Sequence, residues 1–265
     1  MRLAFQNILF RTVVIAFLSI LVGLLGGILL SVVFAVAWPD FVRSVLDPES
    51  LFAIKLTAVT VSVSTVLSVI VGVPAAYALS RYRIPAALLV DTIIDLPLVL
   101  PPLMAGISLL VFFQTSVGQW IEDHIMEFVY QPAGIILAIF FPTVSLGVRA
   151  MKAAFDAVDR RYEQVARTLG CSELQAFFKV TLPLAANGLV AGAVLTWARA
   201  LGIFGSIIMF AGATRYRTEV IPVAIFLNMT TGRIAAGISL AVVLLVIAGV
   251  SLVAFKKLGG RASLA

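Results

Sequence analysis

Long apolar runs alternate with short charged ones along the whole chain. Thr12–Pro39, Leu56–Ser80 and Ile234–Phe255 carry no Asp, Glu, Lys or Arg at all. Three further runs are almost as apolar: Leu88–Phe113, Phe128–Ala150 and Leu184–Met209. At about 1.5 Å of rise per residue, each is long enough to cross a hydrocarbon core about 30 Å thick. The pattern predicts an all-α protein with six transmembrane helices. A shorter apolar piece, Val220–Met229, is too brief to span and reads as a re-entrant or interfacial segment. Trp38–Lys55, Gln114–Gln131 and Gly212–Arg233 read as loops.

Two runs have features of their own. The first contains Ala35-Val36-Ala37, which resembles a leader-cleavage site. Its apolar run exceeds the length of a leader's hydrophobic region, so it is read as a retained span. Gly23 and Gly27 within it make either a close helix contact or ordinary membrane glycines. The third contains Pro97, Pro101 and Pro102, together with Asp91 and Asp95 near its start. Prolines remove backbone donors, and such breaks survive in a membrane only where protein or a water-lined path re-satisfies the backbone. A bend against neighbouring helices and the lining of a path both fit.

The chain has 265 residues, 62% of them hydrophobic and 12% charged, and a mean hydropathy of +1.12. That balance excludes an ordinary soluble domain, and 1–265 reads as one transmembrane domain. The net charge of +6 reflects cations at helix ends, so nucleic acid is not expected as a partner. Placing both termini in the cytoplasm puts Arg2, Arg11, Arg81, Arg83, Arg149, Lys152, Arg160, Arg161, Arg167, Lys179, Lys256, Lys257 and Arg261 inside. Only Arg43, Lys55, Arg215, Arg217 and Arg233 fall outside. That bias obeys the positive-inside rule. The single cysteine, Cys171, permits no internal disulfide.

The most informative polar stretch is Asp159–Pro183, within a loop spanning 156–183. Asp159 can cap a helix start. Gly170 suits the left-handed position that ends one. Ser172 and Gln175 form a capping box for a second short helix, which Pro183 should end or bend. The expected unit is helix, turn, helix, with Val165, Leu169, Leu174, Phe177 and Phe178 on an apolar side.

Gln164-Val165-Ala166, three residues, Gly170, nine residues, then Val180-Thr181-Leu182-Pro183 resembles the EAA loop of ABC-transporter permeases. The family's acid is Gln164 here, with Glu163 one position early, and its first alanine is Val165. The resemblance implies a cytoplasmic coupling helix between spans four and five. It would dock on a separate ATPase subunit through Arg160, Arg161, Gln164, Ala166, Leu169, Gly170, Leu182 and Pro183. An amphipathic loop resting on lipid is the weaker reading.

Catalytic chemistry is not visible in the sequence. The single histidine, His124, makes no metal site. No lysine follows a glycine, which excludes a phosphate-binding P-loop. The chain is therefore not expected to be an enzyme or to carry a cofactor. ATP and magnesium would be used by the partner ATPase.

Arg199 lies in the fifth span, roughly 24 Å up the helix from Pro183. An intramembrane arginine is a functional candidate by default, against snorkelling to the headgroups. Arg215 and Arg217 follow on the external side, and three arginines at one mouth would draw in an anion. Gly202 and Gly205 remove side-chain bulk beside Arg199, for a narrow passage or for helix packing.

Leu96–Gly106 and Ala198–Ile225 resemble the molybdate/tungstate permeases, and less closely the sulfate/thiosulfate permeases. Relatives often carry an acid where Ile203 stands. The resemblance implies an inner-membrane importer of a tetrahedral oxyanion, working by alternating access. It also implies a homodimer set in membrane lipid, two ATPase copies and an extracytoplasmic binding protein. Its path would include Arg199, Gly202, Gly205, Arg215, Arg217, Pro101 and Pro102. A secondary carrier is the rival from another class. It would show inverted repeats and ion-coupling acids, for which Asp91 and Asp95 are the only candidates.

Overall fold

A computed structural model describes residues 2–260, with the side chains of 2–6, 8, 9 and 254–260 left out. Arg261 therefore lies outside the described residues, as do the side chains of Arg2, Lys256 and Lys257. The fold is all-helical among the described residues. In chain order the helices are α1 (Arg2–Phe34), α2 (Trp38–Val45), α3 (Pro48–Arg81), α4 (Ala87–Val99), α5 (Pro102–Phe113), α6 (Ser116–His124) and α7 (Pro132–Asp156). Then come α8 (Arg160–Thr168), α9 (Glu173–Ala176), a π-helical turn (Phe177–Thr181), α10 (Leu182–Leu201), α11 (Gly205–Phe210), α12 (Ile221–Thr230) and α13 (Ile234–Gly260).

Five helical stretches are long and apolar enough to cross a membrane: Phe10–Phe34, α3, α7, Glu173–Leu201 and Ile234–Val253. In place of the sixth expected span stands a bent pair of helices, which counts either as one broken span or as a re-entrant loop. The chain bends by 115° between α4 and α5. Leu100 and Pro101 are both extended, with ψ of 136° and 138°. Each precedes a proline, whose ring disfavours helical backbone at the residue before it.

Several predicted boundaries move. The second span begins at Pro48, behind Asp47, so Lys55 sits inside a helix rather than in a loop. The loop expected over Gln114–Gln131 holds α6, capped where Thr115 Oγ1 accepts the Gly118 N–H at 3.3 Å. The fifth span stops at Leu201 rather than Met209, because Gly202 ends α10 and α11 restarts at Gly205. Pro183 does not end the preceding helix: α9, the π turn and α10 run on as one helix from Glu173 to Leu201. The Leu182 N–H bonds the Phe177 carbonyl five residues back. This wider turn makes room for the proline ring beside the carbonyl four residues before it.

The core is α3, α7 and α10 packed side by side. Gly188 and Gly192 permit the approach of α10. A β-carbon at Gly188 would lie 2.4 Å from Ala154 Cβ, and one at Gly192 3.2 Å from Ala150 Cβ. Met151, Phe155, Ala185 and Leu189 fill one end of this core. Phe113, Ile135, Ile139, Ile203 and Phe210 fill the other. α12 is the short apolar piece anticipated from the sequence. It is buried through Ile221, Val223, Ala224 and Asn228 and packs on α13 and α3. By contrast, nothing lies within 4 Å of where a β-carbon would stand on Gly23 or Gly27.

Candidate functional site

The first candidate site is the polar unit between α7 and α10. Asp159 Oδ1 accepts the Arg161 N–H at 2.9 Å and starts α8. Gly170 ends it with φ +91°. The Gly170 N–H reaches the Arg167 carbonyl and the Cys171 N–H the Ala166 carbonyl, both at 3.1 Å. These two hydrogen bonds make the Schellman closure that satisfies a helix's last carbonyls. Ser172 and Gln175 then form the reciprocal capping box, at 3.0 and 3.2 Å. The first helix, the turn and the start of the second helix therefore follow from local signals, as the sequence predicted, while the second helix runs on past Pro183.

Tyr162, Val165, Leu169, Leu174 and Phe178 are all exposed, Leu169 to 81%. Apolar side chains this open on a polar unit form a surface suited to another protein or to a lipid surface. Arg160, Arg161 and Gln164 are exposed beside them, while Ala166 is buried inward. Leu182 and Pro183 open α10, directly after Thr181.

The inner side of α8 holds residues that sequence reasoning missed. Glu163 Oε1 accepts Arg81 Nε at 2.7 Å and Thr181 Oγ1 at 2.8 Å, and Oε2 accepts Tyr77 Oη at 3.2 Å. Arg81 Nη2 also donates to the Val158 carbonyl at 2.9 Å. Ser80 Oγ donates to Asp156 Oδ1 at 2.6 Å, and Arg160 donates to the Ser80 carbonyl.

The second candidate site is a cleft of about 330 Å³ beside the broken span. Pro101, Pro102, Leu103, Arg199, Gly202, Ile203, Phe204 and Gly205 line it. Five residues chosen from the sequence thus meet in one place. Arg199 is exposed. A β-carbon on Gly205 would lie 2.8 Å from Pro102 Cβ and 3.0 Å from the Leu103 nitrogen, so only glycine fits. At Gly202 the nearest atom would be the Arg199 carbonyl at 3.9 Å, so space is open there. Ile203 is buried in the core.

Arg215 and Arg217 are not in that cleft. Arg215 Nε lies 3.2 Å from Glu49 Oε1, and Arg217 Nη2 donates to Gln131 Oε1 at 2.8 Å. Arg233 joins the same cluster, 2.8 Å from Glu49 Oε2 and 3.3 Å from Asp47 Oδ2. Beneath it Glu219 is fully buried. Its Oε2 accepts the Tyr216 N–H at 3.2 Å, and Oε1 has no protein donor. Burial pushes the Glu219 carboxyl up to about 7; the Tyr216 N–H opposes this and the neighbouring Glu49 adds to it. Among the described residues no group of His, Cys, Asp and Glu side chains could hold a metal ion.

Comparison with known proteins agrees with the architecture. Residues 68–258 match the model of a family described as binding-protein-dependent transport system inner membrane component. The sulfate transport system permease protein CysT of Escherichia coli is 32% identical over 211 residues, covering 79% of this chain and 76% of that one. The molybdenum transport system permease protein ModB of Mycobacterium tuberculosis is 36% identical over 222 residues, covering 83% and 84%. Among solved structures, a chain of a bacterial alginate ABC transporter, crystallised with its pentasaccharide-bound periplasmic protein, superposes with a TM-score of 0.76. Its identity is 17%, over 97% of this chain and 95% of that one, so it speaks to the fold alone.

Proposed function

The chain belongs to the binding-protein-dependent transport system inner membrane components, and from that premise we propose that it carries a tetrahedral oxyanion, molybdate or tungstate, through an ATP-driven importer. The observation that carries this reading is the Arg199 cleft. A cation stands beside the break of an apolar span, lining the same cleft as Pro101 and Pro102, where it would attract an anion on the route. The relative named for molybdenum transport gives the anion its identity. Tungstate follows because its dianion matches molybdate in size as well as in charge and shape, whereas the sulfate dianion is smaller.

In this reading α8 and its exposed apolar residues dock on an ATPase subunit, which supplies the nucleotide chemistry this chain lacks. Two such subunits serve a dimer of this chain, with both termini in the cytoplasm. A binding protein delivers the anion on the opposite side. ATP binding draws the ATPases together, and the motion passes through α8 to open the path outward. Hydrolysis resets it. Arg199, Gly202 and the Pro101–Pro102 break line the route; Arg215 and Arg217 help attract the anion at the mouth.

The test is reconstitution with the ATPase and the binding protein, reading ATP hydrolysis with molybdate, tungstate and sulfate in turn. Stimulation by molybdate or tungstate supports the proposal. Stimulation by sulfate alone moves the chain to the sulfate relatives. Uptake that persists without ATP, driven by a proton gradient, sinks the importer reading.

A further inference from the structure

The docking unit has two sides, and neighbouring residues divide between them. In an α-helix successive side chains point about 100° apart. Gln164, at the family's motif position, is exposed. Glu163 turns inward, and its carboxylate is nearly enclosed together with Arg81. Three donors converge on it from two separate spans. Tyr77 and Arg81 belong to α3, while Thr181 belongs to the π turn that leads into α10.

A helix of nine residues is too short to be stable alone, so contacts elsewhere set its position. Displacement travels only through stiff contacts. A carboxylate bound by a guanidinium and two hydroxyls, with little water nearby, is such a contact. The apolar packing around it involves Tyr77, Phe155 and Phe177. No other residue of α8 makes side-chain hydrogen bonds to both spans among the described residues.

We infer that Glu163 is the positioning residue through which movement of α8 is delivered to α3 and α10 together. The inference rests on the reading of α8 as the ATPase-docking element. Gln164 then serves the outer face and Glu163 the inner one. Loss of the Glu163 carboxylate leaves docking and hydrolysis in place but lets α8 slip against the spans.

The experiment measures molybdate moved per ATP hydrolysed in the reconstituted complex, with co-purification of the ATPase as the control for assembly. Glu163→Gln is expected to keep hydrolysis and lower that ratio about fivefold or more. Arg81→Gln should do the same, and the double variant should fall no further than the worse single one, since both break one contact. A merely structural role would lower recovery of the complex and leave the ratio intact, which overturns the inference. Should Glu163→Gln fail to assemble, Tyr77→Phe and Thr181→Val each remove one hydroxyl from the same carboxylate; an unchanged ratio in both overturns it. A wild-type complex that does not assemble, or ignores all three anions, removes the coupling reading itself. A coupled wild type with a coupled Glu163→Gln removes only the role of Glu163.

Discussion

Arg149 on α7 holds Asp95 on α4, with Nε 2.6 Å from Oδ1, and its Nη1 lies 3.2 Å from Asp91 Oδ1. One guanidinium thus clamps the first half of the broken span to the helical core. The same clamp occupies the two acids that a proton-coupled carrier would need free. Asp95→Asn is expected to cost about 1 kcal/mol or less, because the pair is partly exposed. Thermal unfolding in detergent would show it. Uptake by this variant should remain dependent on ATP and indifferent to a protonophore. Uptake that collapsed when the proton gradient was dissipated would contradict the structural role given to this pair.

Gly170 offers a sharper test of the proposed docking unit. A β-carbon there would meet nothing within 4 Å, so Gly170→Ala introduces no clash. Its cost is conformational, about 1–2 kcal/mol for an L-residue at φ +91°. Gly170→Asn should cost less, since asparagine tolerates positive φ better. The expected order of ATPase recovery on co-purification is wild type, then Gly170→Asn, then Gly170→Ala. Equal recovery for all three would mean that the turn does not set the docking surface.

These two relationships show where the sequence was legible. The turn at Gly170 and the break at Pro101–Pro102 rest on local chemistry: a cap, a positive φ, a missing donor. Such signals sit within a few residues of what they control. The Glu163–Arg81 pair is separated by 82 residues, and Arg233 meets Glu49 across 184. Nothing beside either residue announces its partner. The continuous helix through Pro183 was illegible for another reason: a π turn relieves the proline, and no sequence pattern marks one. Arg215 and Arg217 were chosen by charge alone, which says nothing of the carboxylate and amide they contact.

The Glu219 carboxyl provides a pH readout. Its folded value of about 7 lies above the ordinary 4.5. Between those values the folded protein holds a proton that the unfolded chain has lost. This group's contribution to stability is therefore greatest below about 4.5, falls as pH rises to about 7, and is level above. Glu219→Gln keeps the neutral shape and removes the slope. Melting temperatures at pH 5 and pH 8, in a buffer of constant ionic strength, should differ less for the variant than for wild type. The gain of the variant over wild type should be larger at pH 8. An identical gap in both proteins would mean that Glu219 does not titrate in this window.

Arg199 and its neighbours separate a path from a packing site. Gly205→Ala should unsettle the fold, since its β-carbon would press on Pro102 and the Leu103 backbone; overpacking of this kind costs about 1–3 kcal/mol. Gly202→Ala enters open space and should leave the melting temperature unchanged. Gly202→Leu would fill part of the cleft of about 330 Å³ and should block uptake while assembly and basal ATP hydrolysis persist. Arg199→Gln removes the charge and keeps a polar head. Uptake at saturating binding protein should fall about tenfold, equivalent to about 1.4 kcal/mol, and Arg199→Lys should recover most of it. Arg217→Gln, which lies outside the cleft beside Gln131, should change uptake much less at saturation, and its effect should shrink with added salt because exposed charges are screened. Normal uptake in both Arg199→Gln and Gly202→Leu would place the anion's route elsewhere and leave the cleft a packing defect of the broken span.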